Sequence, residues 1–118
     1  MEIRESAEDY LERILMLNKS MGQVRAVDIA NLMNFSKPSV SIALKKLRQN
    51  GYVNIDGGGY ITLTESGLEI AERVFERHRL ISQLLMALGV DEQTAKEDAC
   101  RVEHDLSVES FEAIKEYC

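Results

Sequence analysis

A mainly α-helical chain interrupted once by a small β-hairpin is the fold class this sequence predicts, and three observations predict it. Apolar residues recur at three- and four-residue spacing through most of the length. Capping residues and glycines mark the ends of short helices. Two-residue alternation appears between Tyr52 and Thr64. At 118 residues, 45% hydrophobic and 29% charged, the chain can bury one modest core or two very small ones, and it is too rich in aliphatic side chains to stay disordered.

The elements follow in order. Ser6 can cap an opening helix whose apolar residues Ala7, Tyr10, Leu11 and Ile14 recur to about Leu17, with a loop through Met21 and Gly22 behind it. The stretch VRAVDIANLMNFSKPSVSIALKKLRQNGY predicts two short helices, Val27 to about Met33 and about Lys37 to Gln49, joined by a tight turn at Asn34 and Phe35. Pro38 falls in the first turn of the second helix, where an N–H has no intrahelical partner, and Asn50-Gly51 closes it. YVNI and YITLT then alternate, with Val53, Ile55, Ile61 and Leu63 on one face, and the intervening DGGG can adopt the positive φ angles of a hairpin turn. A helix-turn-helix followed by a hairpin is a winged helix-turn-helix with a two-stranded wing.

From Thr64 the pattern is helical again. TESGLEIAERVFERHRLISQLLMALG predicts a long helix capped by Thr64 and ended at Gly89, with Ala71, Val74, Phe75, Ile81 and Leu85 on its apolar face and His78 among them. DEQTAKEDACRVEHDL predicts a helix capped by Asp91, carrying Ala95, Ala99, Val102 and Leu106 on one side and Lys96, Cys100, Glu103 and His104 on the other. Ser107 caps a last helix with Val108, Phe111 and Ile114.

A net charge of −6 argues against a nucleic-acid partner until its distribution is considered. Between Ser20 and Thr64, Arg25, Lys37, Lys45, Lys46 and Arg48 stand against Asp28 and Asp56, so this stretch is +3 and the remainder −9. On the second helix of the pair, Val40, Ala43, Leu44 and Leu47 form an inward stripe. The opposite side presents Ser39, Ile42, Lys45, Lys46 and Gln49, with Ser36, Lys37 and Pro38 at the leading end, a mixture suited to the major groove of double-stranded DNA. Arg25 and Arg48 are surface charges that suit phosphates. A winged helix can also serve as a protein-binding module. No apolar stretch approaches the ~18 residues of a membrane span and no basic-then-apolar leader is visible, so a cytoplasmic protein without a membrane partner is expected. Cys100 and Cys118 make no disulfide framework and are expected as free thiols.

The segment CRVEH places Cys100, Glu103 and His104 at positions i, i+3 and i+4, on one face of a helix. A thiolate, a hard oxygen and an imidazole together suit a divalent transition ion. Asp9 and Glu12, three apart on the first helix, also share a face. Taken alone such a pair is what a solvated surface carries, and His78 alone is what a hydrogen-bonded core carries. CRVEH also imitates the H-x-x-E-H pattern of inverted zinc peptidases, with Cys100 for the first histidine. Catalysis would need an open coordination position and a substrate cleft, and only roughly fifty residues follow the wing. Neither an enzyme nor a small-molecule substrate is expected.

In SAEDYLERILML, DIANLMNFSKPSVS, GYVNIDGGGYITLTESG, ERHRLI and EDACRVEHDLS, taken in order, the whole chain resembles the diphtheria-toxin-repressor family of metal-dependent transcriptional repressors, especially its short manganese transport regulator branch. The resemblance implies a winged-helix DNA-binding domain over residues 1–73 and a helical dimerisation region, also metal-binding, over 74–118. It implies a homodimer that binds operator DNA when Mn²⁺ or Fe²⁺ occupies an interdomain site, so that metal supply controls metal-ion homeostasis; Zn²⁺ or Co²⁺ would bind in vitro. The ligands carried over are Asp9, Glu12, His78, Cys100, Glu103 and His104. Iron-type members have methionine where Asp9 stands and manganese-type members generally have glutamate where Cys100 stands, so this chain combines the two. The competing expectation is a metal-independent winged-helix regulator, whose DNA affinity would ignore metal.

Overall fold

The computed structural model describes residues 5–117, which form six helices and one two-stranded antiparallel sheet. They divide into two compact units, the first ending at Glu72 and the second starting at Arg73. Cys118 lies outside the described residues.

The first unit holds α1 (Glu5–Met21), α2 (Ala26–Met33), α3 (Lys37–Gln49), β1 (Val53–Ile55), β2 (Ile61–Leu63) and the opening turns of α4 (Glu65–Ala87). Its buried side chains include Tyr10, Leu11, Ile14 and Leu15 of α1, Ile29 of α2, Val40, Leu44 and Leu47 of α3, and Val53 and Ile61 of the hairpin. Each large aliphatic side chain withdrawn from water contributes about 1.5–3 kcal/mol. Ser6 lies inside α1 and does not cap it, because the helix has already begun at Glu5. The same helix runs a full turn past Leu17 and stops at the first residue able to turn it, Gly22, whose φ is +80°.

Local signals set the ends of α3. Ser36 accepts the Ser39 N–H at 3.3 Å, and the two hydroxyls are 2.8 Å apart. At the other end Gly51, at φ +80°, donates to the Arg48 carbonyl and Tyr52 donates to Leu47 at 3.0 Å, the paired bonds of a Schellman motif. Asp56 organises the wing by accepting the N–H groups of Gly58 and Tyr60, each at 2.9 Å. In the hairpin, Val53 stands opposite Leu63 and Ile55 opposite Ile61, while exposed Asn54 and Thr62 occupy the other face. Thr64 caps α4 as expected, accepting the Gly67 N–H, and its hydroxyl donates to the Gly51 carbonyl at 2.6 Å. Gly67 is required there, since a Cβ would overlap the Tyr52 carbonyl oxygen.

The second unit comprises the rest of α4, α5 (Glu92–Val102) and α6 (Val108–Tyr117), with Val74, Ile81, Ala95, Ala99 and Phe111 buried. Asp91 caps α5 through the Thr94 N–H at 3.1 Å, and Ser107 precedes α6 and accepts the Ser110 N–H at 3.0 Å. The expected faces of α5 need correction. The helix ends at Val102, with Glu103 as its cap, and His104 lies in the turn beyond it. Its buried stripe runs Ala95, Ala99, Glu103, at four-residue spacing, and Val102 is exposed instead. Beyond the helix the Asp105 and Leu106 N–H groups close a tight turn on the Val102 carbonyl.

Candidate metal centre and nucleic-acid interface

Three of the expected ligands come together in the second unit. His78 projects from α4, Cys100 from the last turn of α5 and Glu103 from its cap, and their donor atoms all lie within 4.8 Å of one another. His78 Nδ1 is 3.1 Å from Glu103 Oε2 and 3.6 Å from Cys100 Sγ. On the other side of the same carboxylate, His104 Nε2 stands 3.4 Å from Oε1.

Glu103 is 1% exposed, and a carboxylate so far from water needs a positive partner. Hydrogen bonds donated by the His78 ring to Cys100 and Glu103, opposed by burial, push His78 up to about 10, so its protonated ring is that partner in the metal-free protein. One Nδ1 proton faces two acceptors, Sγ and Oε2, while Glu103 Oε1 has no hydrogen-bond partner among the described residues. A cation in place of that proton would meet a thiolate, an imidazole and a carboxylate at once, so the donor set fits a divalent transition ion.

The segment is held by a residue that sequence reasoning missed. Arg77, buried, donates from Nη1 to the carbonyls of Glu103 at 2.9 Å and Leu106 at 2.8 Å, and its guanidinium lies 5.2 Å from the Phe111 ring centre. These bonds satisfy carbonyls of the turn that follows α5. A signal existed: Arg77 is three residues after Val74 and four before Ile81, on the apolar face of α4.

Asp9 and Glu12 belong to α1 of the first unit. Asp9 is half-buried and Glu12 wholly buried, with Arg13 Nη1 3.8 Å from its Oε1, so the pair does not form the solvated surface that it resembles when taken alone.

In the first unit, Ser36, Lys37, Pro38, Ser39, Ile42, Lys45, Lys46 and Gln49 are all exposed, as expected, while Val40, Leu44 and Leu47 of α3 are buried and Ala43 is half-buried. Arg25 is also exposed and braces the wing, its guanidinium 4.4 Å from the Tyr60 ring centre, while its backbone N–H donates to Asp28 at the start of α2.

Two family models match the chain: the iron dependent repressor N-terminal DNA binding domain over residues 2–59, and the iron dependent repressor metal binding and dimerisation domain over residues 64–118. An HTH-type transcriptional regulator of Methanocaldococcus jannaschii is 42% identical over 113 residues, covering 94% of this chain and 90% of its own length. The HTH-type transcriptional regulator MntR of Lysinibacillus sphaericus is 35% identical over 109 residues, covering 92% of this chain and 78% of its own. Among solved structures, the manganese regulator SloR superposes with a TM-score of 0.83 at 30% identity over 99% of this chain, which spans 54% of the SloR chain. With a winged helix-turn-helix in one unit, a His78–Cys100–Glu103 cluster in the other and both family models matched in order, the chain belongs to the iron-dependent repressor family of metal-dependent transcriptional regulators.

Proposed function

We propose that this protein represses transcription by binding double-stranded operator DNA as a homodimer when Mn²⁺ or Fe²⁺ is bound, and so adjusts metal uptake to metal supply in the cytoplasm. The observation that carries this reading is the buried Glu103 shared between His78 and His104, with Cys100 alongside. The names of relatives, manganese regulators among them, favour Mn²⁺. In this reading residues 1–73 bind DNA and residues 74–118 hold metal and dimerise.

The ion would be held by His78, Cys100, Glu103 and His104 together with Asp9 and Glu12 of α1. Bound there it supplies the positive charge that the carboxylates require. The six side chains then favour one arrangement of two recognition helices, spaced to match two half-sites. Arg25, Ser36, Lys37, Pro38, Ser39, Ile42, Lys45 and Lys46 contact the duplex. Leu88 and Tyr117, 72% and 86% exposed, and Val102 and Val108 are apolar side chains of the second unit left for a second copy to cover.

Carboxylate-rich ligation suits the six-coordination that Mn²⁺ and Fe²⁺ accept, whereas Zn²⁺ settles for four ligands and leaves α1 out. Operator affinity measured against buffered free Mn²⁺, Fe²⁺ and Zn²⁺ tests the reading. Activation is expected with the first two and weaker activation with Zn²⁺, despite its tighter binding. Cys100→Glu should shift the response toward Mn²⁺, and Asp9→Ala should abolish activation while leaving the protein folded. A DNA affinity indifferent to all three ions would leave a metal-independent winged-helix regulator.

A further inference from the structure

The outward face of α3 carries an unusual choice of chemistry for reading bases. Direct readout in the major groove relies on side chains that offer two directed hydrogen bonds, such as Arg to guanine or Asn and Gln to adenine. The first two turns of α3, Lys37 to Ala43, contain no Arg, Asn or Gln, and Lys37 and the serines are their only side chains able to hydrogen-bond a base edge. Their exposed side chains are Lys37, Pro38, Ser39, Ser41 and Ile42. Ser39 is already engaged with the Ser36 hydroxyl at 2.8 Å. Ile42 is 59% exposed, the most exposed β-branched aliphatic among the described residues of the first unit, and it stands one turn after Ser39 and one turn before Lys46 on the same stripe. If this face meets DNA, a large apolar side chain at its centre gains most by leaving water against an apolar group of the duplex.

The one apolar group a base pair shows in the major groove is the thymine C5 methyl. Resting on the DNA-binding reading above, we propose that Ile42 is a specificity-determining residue that packs on a thymine methyl in each operator half-site. Selection for a T·A pair under the middle of α3 then comes from methyl contact, while Lys45 and Lys46 set affinity without choosing sequence.

The test uses the full chain with saturating Mn²⁺. A bound duplex is first selected from a randomised pool, and each thymine of its half-site is then replaced singly by deoxyuridine, which removes only the methyl. One position per half-site should lose about four-fold in affinity, the value of one methyl withdrawn from water. Ile42→Ala, a substitution at an exposed position, should bind the thymine duplex correspondingly less well and be indifferent to deoxyuridine at that position. Deoxyuridine tolerated everywhere, or a sensitivity that Ile42→Ala leaves unchanged, overturns the assignment of Ile42 and leaves DNA binding intact. A pool from which no duplex is enriched overturns the DNA-binding reading and this inference with it.

Discussion

The two functional regions of the molecule are built on opposite principles. The side chains of α3 that face outward are exposed, and a contact such as that of Ser36 with Ser39 is local. The side chains of the candidate metal centre are partly or, for Glu103, wholly withdrawn from water and hydrogen-bonded to one another across 22 to 25 residues of sequence, with Arg77 reaching a further carbonyl 29 residues away. A surface that waits for a polyanion can stay solvated, because the partner brings its own charge. A cation site must exist before the cation arrives, and an unsolvated carboxylate such as Glu103 is held only with a proton on His78 in the cation's place. Substitution on α3 should therefore alter DNA binding and spare stability, whereas substitution in the second unit should alter both.

The largest effect should come from Glu103→Gln. The shape is kept, but the carboxylate that faces both histidines is gone, and Mn²⁺ affinity by calorimetry should fall by more than about 100-fold, beyond what loss of a supporting residue costs. Retained affinity would separate the cluster from the metal. Arg77→Met comes next. It keeps the packing on Phe111 but strips two buried carbonyls of their donor, at about 1–3 kcal/mol each. A lower melting temperature and roughly 10–100-fold weaker Mn²⁺ binding are expected together. A lower melting temperature alone would make Arg77 a packing residue and nothing more.

The pH response is smaller. Because His78 is raised to about 10 from 6.5 in the metal-free fold, its contribution to stability is fully present below pH 6.5 and is lost as pH rises through about 10. The same proton must leave when metal binds, so Mn²⁺ affinity should rise with pH in that window, by at most about ten-fold per unit. An Mn²⁺ affinity flat from pH 6.5 to 8.5 would remove His78 from the ligand set. The smallest effects belong to Lys45→Ala and Lys46→Ala, which should each lower the salt slope of DNA binding by about one and leave the melting temperature within the scatter of surface substitutions. A clear loss of stability in either would blur the contrast between the two regions.

The same contrast explains what was legible in the sequence. Both ends of α3 were legible because Pro38 and Asn50-Gly51 act on their own backbone, although the Ser36 cap was not read. The cluster was legible in part: spacing grouped Cys100, Glu103 and His104, while His78, 22 residues before Cys100, joined them only through the family resemblance. Its geometry was not. Helical periodicity carried α5 through His104, whereas the helix ends at Val102, in a turn whose carbonyls are taken by a guanidinium from α4. The start of α1 was misplaced for a local reason, because Ser6 is a good cap residue inside a helix that begins before it. Spacing alone gave Glu12 no more than a solvated face, and only the family resemblance made it a ligand, because spacing does not report burial.

The central claim is that metal held by the second unit and DNA held by the first are thermodynamically coupled, and coupling must be reciprocal. The direct measurement is the Mn²⁺ dissociation constant of the full chain with and without a saturating operator duplex. DNA should tighten Mn²⁺ binding by the same factor by which Mn²⁺ tightens DNA binding, of the order of 5–150-fold. An Mn²⁺ affinity unchanged by operator DNA would contradict it.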